Sequence, residues 1–168
     1  GLILLYQIEK KFRILRRLAE CFQDNRLAYR VEHTVPQMLS QRIYGLCQGY
    51  EDLNDHEQWR NDPLLSLVCG KENGDALSGK STLNRLELGK EITDYGDRYN
   101  KIKWDDDQIE HLLVEIFLDS FSTPPDEIIL DFDATDDPLH GNQEGRFFHG
   151  YYDSYCYLPL YVFSGSFP

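Results

Sequence analysis

Two carboxylates two residues apart, Asp131 and Asp133, are the side chains in this sequence whose type and spacing point most directly to chemistry. They lie in IILDFDAT, a short apolar run with the composition of a buried strand. Side chains at positions i and i+2 of a strand project from the same face. Two buried carboxylates on one face repel each other and are costly to desolvate, so a divalent cation or a basic partner is expected beside them. The alternative is an acid exposed at the strand end, followed by an Asx turn.

A second string, GDALSGKS at positions 74–81, matches the phosphate-binding loop pattern of nucleoside triphosphatases. On that interpretation Lys80 and Ser81 bind the nucleotide, and the carboxylate that ends the apolar strand IILDFD holds its magnesium ion. A phosphate cradle requires a strand directly before its first Gly, whereas the run before this loop has the pattern of a short helix. The alternative is a polar loop in which Ser81 caps the following helix, TLNRLEL.

Basic side chains are concentrated near the start of the chain. The first 44 residues carry eight Lys and Arg against four Asp and Glu, whereas the remaining 124 carry nine against 25. Bases on an amphipathic helix can bind DNA phosphates, or they can simply form its solvated face. STLNRLE, after a Gly-containing turn, also has the form of a helix-turn-helix recognition element. The candidate DNA-binding residues are Arg13, Arg16, Arg17, Lys80 and Arg85.

The elements that must position these residues follow from hydrophobic periodicity. Apolar residues recur at steps of three and four through most of the chain, which predicts helices over 2–22, 35–48, 54–60, 62–69, 82–88 and 104–122. Thr34 and Pro36 mark the start of the second helix. Strand patterns come last, as IILDFDAT and an aromatic tail from 146 to 165 that is one long strand or two broken at Asp153 and Ser154. The tail aromatics are predicted as sheet core rather than a base-stacking platform, and the fold class as α+β.

Composition excludes several classes of protein. A chain of 168 residues with 41% hydrophobic residues can bury a core, and a net charge of -12 argues against a uniformly basic nucleic-acid coat. The four cysteines are far apart and show no metal-ligand spacing, which favours a reducing compartment. The sequence contains no apolar run long enough to span a bilayer, so we expect a cytoplasmic protein without a membrane partner.

Three long strings together resemble one family, the DDE-type transposases of bacterial insertion sequences, and in particular the IS thirteen-eighty group. The strings are QRIYGLCQGYEDLNDHEQWRNDPLLSLVCGK, SGKSTLNRLE and LDFDATDDPLHGNQEGRFFHGYYDSYCYLPLYVFSG. The resemblance covers nearly the whole chain and accounts for GDALSGKS as a family segment unconnected with nucleotides. It implies a helical N-terminal region over 1–122, which is a candidate for DNA binding, and over 123–168 the first strands of a ribonuclease-H-like catalytic domain.

The resemblance also implies roles for the two acids. The D-x-T element of the family falls on Asp133, Ala134 and Thr135, which makes Asp133 the expected first catalytic and metal-binding acid and Asp131 the runner-up. Such acids hold Mg²⁺ or Mn²⁺ for the cutting and joining of DNA ends. The second Asp and the final Glu are expected beyond position 168. We therefore expect an N-terminal fragment, inactive and without metal by itself, whose partners are insertion-sequence DNA and another copy or a full-length transposase. The alternatives are a nucleoside triphosphatase and a non-catalytic DNA-binding or dimerising fragment.

Overall fold

The computed structural model describes residues 1–71, 73–92, 101–139 and 141–165. The chain divides into two units, Gly1–Ile116 and Phe117–Pro168. Both helices and strands are present, which confirms the predicted α+β class. The first unit contains strands as well as helices, so the predicted order of helices first and strands last is wrong.

The first predicted helix is interrupted at Arg13. Helices α1 (Leu2–Phe12) and α2 (Ile14–Glu20) meet there, because Arg13 adopts the left-handed conformation with φ 55°. The Glu9 carboxylate accepts hydrogen bonds from the backbone N–H groups of Leu15 at 2.8 Å and Arg16 at 3.2 Å. These are N–H groups that the start of a helix leaves without intrahelical partners. A side chain of α1 therefore caps α2, and the prediction of one helix over 2–22 is wrong.

Helix α3 (Val35–Cys47) begins where the sequence predicts. The Thr34 side chain accepts from the Gln37 N–H, and the Gln37 side chain accepts in return from the Thr34 N–H, which forms a capping box. Two apolar clusters are built around this helix. The first contains Leu15, Tyr44, Leu65, Val68, Cys69 and Leu77; the second contains Val35, Met38, Leu39, Leu83, Leu86 and Ile102.

Three short helices follow α3. They are α4 (His56–Trp59), α5 (Pro63–Val68) and α6 (Lys80–Glu87), and single 3-10 turns lie at Ala28–Arg30 and Leu53–Asp55. Helix α6 starts at Lys80, with Gly79 in the capping position and no side-chain cap on that residue. Ser81 is therefore inside the helix, and its predicted role as the N-cap is wrong. The Glu57 carboxylate instead accepts the Lys80 backbone N–H at 2.7 Å.

A small sheet in the first unit was not predicted. Strand β3 (Ile102–Trp104) pairs antiparallel with β1 (Phe22–Asp24) and parallel with β2 (Lys90–Glu91). Helix α7 (Asp106–Asp119) follows, and the Asp105 carboxylate accepts the Gln108 N–H at its start. The boundary between the two units falls inside α7.

The second unit is a long antiparallel ribbon. Strand β4 (Asp131–Ala134) pairs with β8 (Leu160–Phe163), and β5 (Asp137–Pro138) pairs with β7 (Ser154–Tyr157). The register is the same in both pairs. Asp133 pairs with Tyr161, and Asp137, four residues later, pairs with Tyr157, four residues earlier. Strand β6 (Phe147–His149) adds to β7 on its other side.

Two details of this ribbon differ from the predictions. Residues 128–130 lie outside β4, and all four residues of β4 are exposed, so the prediction of a buried strand over IILDFDAT is wrong. The aromatic tail forms three strands. The predicted break falls at Asp153, where φ is 51°, and a second break falls at Pro159. Thr135 N–H donates to the Pro159 carbonyl at 3.2 Å, and proline has no N–H to return the bond.

Candidate active site

The carboxylates of Asp131 and Asp133 project from one face of β4. Directly opposite them on β8 lie Phe163 and Tyr161. Paired residues of antiparallel strands share a face, so the two aromatic rings lie on the same side of the ribbon as the acids. The rings are stacked at 28° with centroids 6.2 Å apart. The two acids are about 7 Å apart along the strand at the standard rise.

Exposure changes the electrostatic argument for this pair. Two like charges on a buried strand, as the sequence pattern predicts, would demand a cation. Because β4 is exposed, water solvates both carboxylates, and desolvation does not force a ligand beside them. Asp131 and Asp133 are therefore accessible to a metal ion or to DNA, which the sequence pattern did not predict.

The donor chemistry at β4 fits a hard cation, but the number of donors is small. Carboxylate oxygens are the ligands that Mg²⁺ prefers. Among the described residues, no group of three or more His, Cys, Asp or Glu side chains is arranged to hold a metal ion. His149 is half-buried against Tyr152, with ring centroids 4.8 Å apart, and His140 lies outside the described residues. Asp131 and Asp133 would therefore be only part of the ligand set that such an ion needs.

The structure places the first three candidate DNA-binding residues at the junction of α1 and α2. Arg13 is the junction residue, and Arg16 is exposed, with Glu20 3.8 Å away. Arg17 makes an ion pair with Glu115 at 2.8 Å. The junction thus carries basic side chains, and part of their charge is already neutralised by neighbouring acids.

The other two candidates lie on α6, and both are exposed. The ammonium group of Lys80 donates to the Asn54 side chain at 2.8 Å. Helix α5 ends at Val68 and α6 begins at Lys80, a connection far longer than the three or four residues of a helix-turn-helix. The local geometry therefore does not support α6 as a recognition helix of that type.

The loop GDALSGKS is held by hydrogen bonds within the protein. The backbone N–H groups of Leu77, Ser78 and Lys80 donate to Arg60 O, Gln41 Oε1 and Glu57 Oε1 at 2.8, 2.9 and 2.7 Å. A phosphate cradle needs such groups free and converging on the ligand. Leu77 and Ser78 are also buried. In this conformation the loop is a packing element, and its geometry argues against the nucleotide-binding interpretation.

One buried polar residue that the sequence pattern did not point to, Gln41, positions this loop, and a second, His56, lies beside Gln41. The Gln41 side chain, fully buried on α3, accepts from Ser78 N–H and donates to Ser78 C=O at 2.8 Å. It also lies 3.4 Å from His56 Nδ1, and burial lowers the pKa of His56. A glutamine between Met38 and Tyr44 on an otherwise apolar face was the available signal, because a buried amide needs partners.

Comparison with known families gives a match along almost the whole chain. Residues 1–167 match the family described as "Transposase DDE domain group 1". Neither a curated protein nor a solved structure matches the sequence. In the part of the chain that the structure describes, no helix is both long and apolar enough to cross a membrane. With the match covering all but the last residue, the chain belongs to the DDE-domain transposases.

Proposed function

We propose that this chain belongs to a transposase of the IS thirteen-eighty group, and that Asp133 is the first of its metal-binding catalytic acids. The family match supports a transposase in general. The observation that carries the finer proposal is the exposed D-x-T element, with Asp133 on the accessible face of β4. The proposed architecture is a ribonuclease-H-like sheet that begins with β4. Asp131, on the same face, is the alternative first acid.

The proposed chemistry is phosphoryl transfer between DNA strands. When bound, two Mg²⁺ or Mn²⁺ ions activate the attacking oxygen and stabilise the leaving one. The role of Asp133 is to hold such an ion through a carboxylate fixed on a strand, and Asp131 adds negative charge that favours a cation. Pairing with Tyr161 on β8 fixes the backbone of Asp133 and therefore the direction of its side chain.

DNA is the proposed partner, and Arg13 and Arg16 at the helix junction are the proposed phosphate contacts in the first unit. Each phosphate neutralised by Lys or Arg makes binding steeper in salt. A gel-shift with insertion-sequence terminal repeats at two salt concentrations tests this part of the proposal. We expect retardation that weakens with salt and weakens further in Arg13→Ala. Binding that is insensitive to salt would contradict it.

The metal part of the proposal is tested by adding Mn²⁺ to the chain and following its amide NMR signals. Paramagnetic broadening is expected first around residues 131–134 and 160–163. Asp133→Asn removes it, whereas the matched control Asp137→Asn, on β5 of the same ribbon, leaves it unchanged. Uniform broadening at acidic residues throughout the chain would contradict the proposal.

A further inference from the structure

The far end of the ribbon from Asp133 carries a group of exposed aromatic side chains. We call residues 146–157, which contain β6 and β7, the aromatic hairpin. Among the described strand residues of this hairpin, Cys156 is fully buried and most of the aromatic residues are not. Tyr151 at the turn is 86% exposed, and Phe148, Tyr152 and Tyr155 are each about half exposed. The prediction that these rings form sheet core is therefore wrong.

Two of the rings and one guanidinium group form a compact surface. The rings of Phe148 and Tyr155, on paired positions of β6 and β7, are in edge contact at 5.4 Å. The Arg146 guanidinium lies over the Tyr155 ring at 4.2 Å from its centroid. A further hydrogen bond from Arg146 to the Gly141 carbonyl, at 2.7 Å, fixes the orientation of this side chain. The cation lies over one face of the Tyr155 ring, so the surface combines the exposed ring area of Phe148 and Tyr155 with a positive charge.

The hairpin surface and the acids lie on the same face of the ribbon. Leu139 N–H donates to the Tyr155 carbonyl at 3.1 Å, which continues the register that pairs Asp133 with Tyr161. Because the register does not shift, side chains at odd positions of β7 and β8 stay on the face that carries Asp133. Six residues separate positions 133 and 139, a distance of about 20 Å along the strand.

We propose that the aromatic hairpin binds unpaired bases of single-stranded DNA, which stack on Tyr155 and Phe148 while Arg146 faces their phosphates. The choice of DNA as the ligand rests on the proposed function. Base stacking on aromatic rings tolerates any sequence, because every base has a flat π face. The hairpin would hold a melted DNA end on the face that carries Asp133. The aromatic surface thus serves as a binding site for the substrate, separate from the acids.

The test is a fluorescence titration of the complete chain with a 12-nucleotide single-stranded DNA that carries 2-aminopurine at its centre. Stacking is expected to quench the probe. Tyr155→Ala should weaken binding about 5- to 150-fold, the loss expected for one stacked base. Tyr155→Phe keeps the ring and should retain the affinity.

The matched control is Tyr29→Ala in the first unit. Tyr29 is 79% exposed and has Arg30 over its ring at 5.4 Å, so it resembles Tyr155 in chemistry but lies outside the hairpin. Equal losses from Tyr29→Ala and Tyr155→Ala would overturn the proposal, as would equal affinity for the duplex of the same sequence. The Mn²⁺ titration separates the two proposals. Quenching without Mn²⁺ binding at β4 contradicts only the proposed catalytic acid, and Mn²⁺ binding without quenching contradicts only the stacking site.

Discussion

Replacing Gln41 by methionine should destabilise the first unit strongly. Methionine has nearly the same length as glutamine, so the substitution removes hydrogen bonds while leaving little empty space. Gln41 and Ser78 are both fully buried, and the Gln41 amide satisfies both the N–H and the C=O of Ser78. After the change, both backbone groups would be buried without partners.

The expected cost follows from these two groups. A buried polar group left unsatisfied costs about 1–3 kcal/mol, so two groups give about 2–6 kcal/mol. Typical domains have a free energy of unfolding of about 5–15 kcal/mol, so the loss is a large fraction of the total. Loss of the contact with His56 Nδ1 adds to it.

Urea unfolding measures this cost directly. Both tryptophans, Trp59 and Trp104, lie in the first unit, so their fluorescence reports on the unit that contains Gln41. The matched control is Gln7→Met, since Gln7 is an exposed glutamine on α1 and surface substitutions usually change stability by less than about 0.5 kcal/mol. If both variants unfold at the same urea concentration, the loop GDALSGKS is not held by Gln41 and the reasoning fails.

Three further predictions concern the first unit. Burial lowers the pKa of His56, with the charge of Arg42 adding to the effect, and burial with Lys71 lowers the pKa of His33. The neutral forms of both histidines therefore stabilise the fold fully above the unfolded pKa of about 6.5. This stability is lost as the pH falls through the lower pKa values of the folded state, so the urea midpoint should drop between pH 7.5 and 5.5. A constant midpoint would refute this. Glu9→Ala should cost about 1 kcal/mol in urea unfolding, because Leu15 and Arg16 lose their capping acceptor, and an unchanged midpoint would show that α2 needs no cap. Titration with ATP and Mg²⁺ should give no binding, and affinity that Lys80→Ala abolishes would restore the nucleotide-binding interpretation.

Structural features that depend only on residues close in the sequence were predictable from it. Thr34 and Gln37 form a capping box by themselves, so the start of α3 was predictable. The left-handed Arg13 was not, because it depends on the Glu9 carboxylate turning back to cap α2. The two- and three-residue strands β1, β2 and β3 were also missed, since they exist only through pairing between distant segments.

At the candidate site, too, the local feature was predictable and the long-range packing was not. The period of a strand was enough to place Asp131 and Asp133 on one face. It did not reveal exposure, because Ile129 and Phe132 have the composition of core residues but are 75% and 60% exposed. Burial depends on what packs against a strand, and a hydrophobic pattern alone does not specify that. For the same reason the aromatic hairpin was predicted as core.

The most direct test of the central claim is DNA cleavage by a transposase that contains this sequence. Cleavage of a labelled insertion-sequence end in Mn²⁺ is measured for the wild type, Asp133→Asn and Asp137→Asn in parallel. The account predicts that Asp133→Asn reduces cleavage to the level without enzyme while still binding the DNA, and that Asp137→Asn cleaves like the wild type. Cleavage by Asp133→Asn at the wild-type rate would contradict the account.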